Sequence, residues 1–151
     1  MRINNRILMG VPQAYAHIKG SEKYPTIKGV ISFYAMGGGT VVVTEINGLP
    51  RDDSFFAMHI HNGSSCSGNS EDPFANSGTH LDFTDDEHPF HTGDLPVILS
   101  NNGYSWSAVF TDRFRPCQVR GCVVIIHADA DDYRTQPSGS SGKKIACGII
   151  R

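Results

Sequence analysis

Turn-forming residues recur so often in this chain that no window of eleven or more residues carries helical periodicity. Sixteen glycines and eight prolines, about one residue in six, punctuate short runs rich in Val, Ile, Thr, Tyr and Phe, the rhythm of an all-β chain. The pattern predicts strands over residues 14–18, 26–36, 40–47, 54–61, 96–99, 105–112, 122–127 and 144–150. Seven or eight short strands lead to the expectation of a sandwich or a flattened Greek-key β-barrel of about eight antiparallel strands. Gly37, Gly38 and Gly39 separate two strand-like runs and read as a hairpin, whereas residues 62–93 hold little strand pattern and are too long for a plain connection. Loops of that length in a compact domain are usually functional or disordered.

At 151 residues a single domain is the default, and 39% apolar with 19% charged residues is too apolar for a disordered chain. A formal charge of −2 provides no global basic field, so nucleic-acid binding is not expected. The longest apolar run, Cys122-Val123-Val124-Ile125-Ile126, is strand length and far short of the roughly 18–20 residues of a membrane span. Ile7-Leu8-Met9 is too short for the apolar segment of a secretion signal. A cytoplasmic location follows for the chain as written, and an exported form if a leader has been removed. Four cysteines, at 66, 117, 122 and 147, form no C-x-x-C pair and are too few for a disulfide scaffold, leaving room for one disulfide.

Five of the seven histidines, His59, His61, His80, His88 and His91, fall between residues 59 and 91. His59 and His61 end a predicted strand, where side chains two apart share a face and can reach one ion while Ile60 packs on the other side. A pair of this kind also occurs on surfaces and as half-buried structural histidines. His80, His88, His91 and Asp94 offer three imidazoles and a carboxylate within fifteen residues, enough to close a tetrahedral zinc site. The alternative is a solvated polar loop, which Asp82, Asp85, Asp86 and Glu87 resemble. His127 ends the most apolar strand and is followed by Ala128-Asp129-Ala130-Asp131-Asp132, placing it at a site or in a capping role.

With these elements in order, the chain resembles the copper/zinc superoxide dismutase family. The resemblance rests on Phe56-Ala57-Met58-His59-Ile60-His61 ending a strand, on Gly78-Thr79-His80, and on His88-Pro89-Phe90-His91-Thr92-Gly93-Asp94-Leu95-Pro96. It extends to Val123-Val124-Ile125-Ile126-His127-Ala128-Asp129 and to Lys144-Ile145-Ala146-Cys147-Gly148-Ile149-Ile150. It implies copper on His59, His61, His80 and His127, zinc on His80, His88, His91 and Asp94, and His80 bridging the two. The two residues between His88 and His91 resemble the shortened zinc loop of some bacterial members. Neutral imidazoles tolerate both oxidation states of copper, and zinc has no redox chemistry of its own. The implied reaction turns superoxide into dioxygen and hydrogen peroxide, with His80 released from copper and protonated when copper is reduced. Asp131 matches the family aspartate that hydrogen-bonds a ligand histidine on each side; a turn-capping acid is its other reading. Cys66 and Cys147 match the family disulfide, while Cys117 and Cys122 have no counterpart and read as buried thiols or a second disulfide.

Two departures bear on rate. Lys144 stands where the family carries an arginine beside the copper channel, so a mobile point charge replaces a rigid fork of donors and reduced activity is expected. The segment 135–143 resembles the family's electrostatic loop but is short, with Lys143 its only charge. Leu81-Asp82-Phe83 replaces the family's usual aromatic-Asn-Pro. Besides superoxide as substrate, the resemblance allows a homodimer and a copper-delivery partner. Two other functions fit the residues: a catalytically weak or idle relative serving as a copper or zinc store or a cell-surface module, and a zinc hydrolase or hydratase in which His59, His61 and His127 hold one ion with an open water position.

Overall fold

The structure, a computed structural model, describes residues 10–50 and 54–151; the apolar run Ile7-Leu8-Met9 lies outside them. The described residues form strands β1 (Ala14–Gly20), β2 (Lys28–Met36), β3 (Gly39–Asn47), β4 (Phe55–Phe56), β5 (Met58–His61), β6 (Ile98–Leu99), β7 (Ser105–Thr111), β8 (Val123–His127) and β9 (Lys144–Ile149). Every pairing is antiparallel. One sheet runs β5-β8-β9-β1-β2-β3-β7, and β4 pairs with β6 beside it.

The expected strand 54–61 exists in two pieces because Ala57 leaves the ladder. Its N–H donates to the Asp129 carbonyl at 2.8 Å, and its own carbonyl accepts from the His127 N–H at 2.9 Å. Phe55 and Phe56 therefore pair with β6, while Met58–His61 pairs with β8. Counting β4 and β5 as one interrupted strand gives eight strands around a nearly closed barrel. Between β6 and β7 a tight turn takes the place of a ladder, with Asn102 and Gly103 at φ of 55° and 76° and a bridge from Asn101 to Tyr104. Asn-Gly tolerates positive φ at both central positions of such a turn. Gly37 and Gly38, at φ of 53° and 95°, perform the same function between the paired Met36 and Gly39, as the glycine run predicts. A single helical turn, α1 (Pro116–Val119), is too short to leave a period; Pro116 starts it, and Gln118 accepts the Arg115 N–H at 2.8 Å.

Side chains alternate as the period of two requires. On β1, Ala14, Ala16 and Ile18 point into the barrel, while Tyr15, His17 and Lys19 point outward or to the rim. The barrel core gathers Ile31, Phe33, Ile46, Phe56, Met58, Ile60, Ile98, Phe114, Val124 and Ile126. Burying side chains of this size stabilises by roughly 1.5–3 kcal/mol each. β8 is buried along both faces. Val124 and Ile126 face the barrel, whereas Val123 and Ile125 pack outside it with Phe74 and Cys147. The long loop and the 128–143 segment cover that outer face, which is where the histidines project.

Candidate metal centre

β5 sends Met58 and Ile60 into the core, which turns His59 and His61 to the opposite, covered face. The long loop is drawn onto β5 by backbone bonds. Ile60 N–H donates to the Gly93 carbonyl, Leu81 N–H to the Ile60 carbonyl, Gly93 N–H to the Leu81 carbonyl, and Asn62 N–H to the Thr79 carbonyl. Bridges then set His80 beside His61 and Asp94 beside His59. Gly93 is required for this approach, since a Cβ there would lie 2.2 Å from the Ile60 carbonyl oxygen. In the segment Leu81-Asp82-Phe83, Leu81 is buried and Phe83 N–H donates to Thr92 Oγ1 at 3.0 Å.

Two groups of ligand atoms result, His59, His61, His80 and His127, and His80, His88, His91 and Asp94, each with its atoms within 4.8 Å of one another. These are the seven expected residues, with His80 in both groups. In the first, His59 Nδ1, His61 Nε2, His80 Nε2 and His127 Nε2 are buried with no hydrogen-bond partner among the described residues. In the second, His80 Nδ1 lies 2.7 Å from Asp94 Oδ1, and His88 Nδ1 and His91 Nδ1 each lie 3.1 Å from Asp94 Oδ2. Ligands on a tetrahedron with bonds of 2.0–2.1 Å sit about 3.3 Å apart. Leaving so many buried nitrogens unpaired would cost about 1–3 kcal/mol each, so convergent orphaned nitrogens fit metal ions. Three imidazoles with one carboxylate suit zinc, and four imidazoles suit copper.

The other nitrogen of each ring is held from behind. His61 Nδ1 donates to the Gly78 carbonyl at 2.9 Å and His127 Nδ1 to the Gly142 carbonyl at 3.3 Å. Asp131 accepts from His59 Nε2 through Oδ2 at 2.8 Å and from His88 Nε2 through Oδ1 at 2.9 Å. It therefore ties one histidine of each group together, as the resemblance implies, and orients both rings. Gly139, at φ of 68°, passes so close that a Cβ would lie 1.9 Å from Asp131 Oδ1. Burial holds the His61 pKa down to about 2 and that of His127 to about 3, with neighbouring imidazoles adding to the effect. Both rings are neutral, the form that ligates. Burial pushes the Asp94 pKa up, yet the hydrogen bond from His80 and the charges of the surrounding imidazoles hold it below the ordinary carboxylate value.

The loop is also clasped from across the barrel, which the histidine spacing does not reveal. Arg113, just beyond β7, donates through Nη1 to the carbonyls of Pro89, His91 and Asp94 at 3.0, 3.0 and 3.3 Å. Two of those carbonyls belong to residues of the second group. Arg113→Ala is expected to weaken zinc binding about 10- to 100-fold, read by competition with a chromophoric chelator; unchanged affinity would show that the loop holds its shape without the clasp.

Cys66 and Cys147 form a disulfide with an S–S distance of 2.00 Å, tying the long loop to β9. Cys117 and Cys122 are free thiols, the first exposed and the second half-buried, so no second disulfide forms. Lys144 pairs with His127 across the β8–β9 ladder and lines the cleft above His61, His80 and His127. Its ammonium does not stand free: Nζ lies 2.8 Å from Asp72 Oδ2 and 3.2 Å from the Phe74 carbonyl. The other charges lining this cleft are Glu22, Glu71, Asp82, Asp85 and Asp86, against Lys23 and Lys143. The carbonyls of Gly78 and Gly142, Arg113 and Asp72 are the contributors that sequence patterning missed, since each acts through a fold-dependent contact with no spacing of its own.

A barrel that carries two histidine-rich groups sharing one imidazole, joined again through one aspartate, has the ligand arrangement of a site that could hold two metal ions. The sequence profile of copper/zinc superoxide dismutase matches residues 27–150. A protein named superoxide dismutase [Cu-Zn] from Deinococcus radiodurans is 32% identical over 143 residues, covering 83% of this chain and 78% of the relative. Its namesake from Legionella pneumophila is 28% identical over 139 residues, covering 84% and 80%. Among solved structures, a superoxide dismutase-like protein from Bacillus subtilis is similar with a TM-score of 0.76 and 26% identity, covering 89% of this chain and 96% of the other. The Brucella abortus Cu/Zn superoxide dismutase shares the fold, with a TM-score of 0.77 at 22% identity over 92% of this chain and all of the other. The chain belongs to the copper/zinc superoxide dismutase family of oxidoreductases.

Proposed function

We propose that this protein dismutates superoxide, with His59, His61, His80 and His127 holding copper and His80, His88, His91 and Asp94 holding zinc. The observation that carries this reading is His80, which presents Nε2 to one group and Nδ1 to the other while both sets of nitrogens stay buried. Bound copper supplies the one-electron steps in which two superoxide anions and two protons become dioxygen and hydrogen peroxide. The chain's part is to hold and position. Asp131, Gly78 and Gly142 fix His59, His61 and His127 in the tautomers that leave the facing nitrogens free. Asp94 and His88 keep the His80 ring in place from the zinc side, so that Nε2 can take up a proton and return it without the ring leaving the site. The cleft lined by His61, His80 and His127 gives a small anion its approach.

The test loads purified protein with one equivalent each of zinc and copper and measures superoxide loss beside the metal-free and zinc-only forms. Activity confined to the copper-loaded form is expected. Inactivity with copper confirmed in the site would favour a metal-storing relative, and activity of the zinc-only protein toward a hydrolysable ester would favour the hydrolase reading.

A further inference from the structure

We propose that Asp72 controls how strongly this site takes up anions, by neutralising the one cation, Lys144, that the β8–β9 ladder places next to His127. The inference rests on the dismutase reading for its biological meaning, though not for its test. Lys144 is the residue paired with His127 in the sheet, and both its hydrogen bonds go to the disulfide-anchored loop, to Asp72 and to the Phe74 carbonyl. Lys144, Asp72 and Phe74 all line the cleft, and the lysine side chain is held against its wall, 17% exposed against 39% for Asp72. Asp72 is ionised: burial pushes its pKa up, but the Lys144 hydrogen bond and charge and the Phe74 N–H together bring it below the ordinary value. Lys144 and Asp72 both act electrostatically on His127, so the pair lies within range of the copper group.

A lysine so paired presents little net charge to an incoming anion. With Lys144 matched by Asp72, the remaining lining charges favour acids, Glu22, Glu71, Asp82, Asp85 and Asp86 against Lys23 and Lys143. The side chains around the entrance therefore add little attraction for a small anion beyond that of bound metal ions themselves. The anion affinity of the site therefore depends on the Asp72 carboxylate opposite Lys144 as well as on the ammonium itself.

The experiment is a double-mutant cycle of Asp72→Asn, Lys144→Met and both together, each checked for copper content and melting temperature. Azide binding to copper is followed by its charge-transfer absorption, which needs no turnover. Asp72→Asn is expected to bind azide about three- to tenfold more tightly than the parent, Lys144→Met more weakly, and the double variant like Lys144→Met. Superoxide kcat/KM at low salt should follow the same order. Unchanged azide affinity in Asp72→Asn, or an equal gain in the absence of Lys144, would overturn the proposal. Azide binding that follows the cycle in a protein without turnover would instead refute the dismutase reading and leave the role of Asp72 standing. In metal-free protein, acetylation of Lys144 read by mass spectrometry should accelerate in Asp72→Asn, and an unchanged rate would also overturn the pairing.

Discussion

Replacing His127 with Ala is expected to abolish superoxide turnover while zinc remains at one equivalent and the barrel stays folded. His127 contributes Nε2 to the first group alone, and none of its ring nitrogens enters the group built on Asp94. It ends β8 just outside the core, so truncation removes a ligand and the hydrogen bond to the Gly142 carbonyl but leaves Val124 and Ile126 packed in the barrel. The remaining imidazoles, His59, His61 and His80, form a site one ligand short. Metal analysis by mass spectrometry, together with a superoxide assay on the copper-reconstituted variant, provides the check. Turnover comparable to the parent would remove His127 from the copper set.

The second large effect concerns stability. Substituting Cys66 and Cys147 together with Ser is expected to destabilise the protein by up to about 4.5 kcal/mol, since the bond closes a loop with a sequence separation of 81. For a chain of this size each kcal/mol lowers the melting temperature by roughly 2–4 °C, so a fall of about 9–18 °C is expected. Cys147 sits in β9 opposite Ile125, and its partner holds the loop that carries Phe74 and Asp72. The double variant should consequently loosen the Asp72–Lys144 pair and bind azide more tightly as it loses stability. A loss below about 1 kcal/mol in denaturant titration would mean that backbone bonds such as Asn76 N–H to the Ser67 carbonyl hold the loop closed on their own.

What could be read from the amino-acid order depends on how local the cause is. Strand positions were legible because alternation is written into neighbouring residues, as in Ala14, Ala16 and Ile18 against Tyr15 and His17. The ligands were legible because histidines in strand ends and in one loop carry a spacing that few other roles need, and the resemblance then sorted them into two sets. The break at Ala57 was not, because it is caused by Asp129 and His127 some seventy residues away. Arg113 was silent for the same reason: three carbonyls of a loop are its partners, and carbonyls have no sequence signature. Lys144 was legible as a residue beside the site, but its partner Asp72 was not, because that acid lies on a different loop.

β8 separates two kinds of damage by nothing more than the parity of a residue number. Even positions, Val124 and Ile126, belong to the barrel, and odd ones, Val123 and Ile125, to the small cluster beneath the metal loops, with His127 continuing the odd series. In a saturation scan of this strand, lesions at even positions should surface as lost soluble protein. Those at odd positions should yield folded protein with loosened loops and poorer metal retention, so two readouts from one five-residue window would map the wall between scaffold and chemistry.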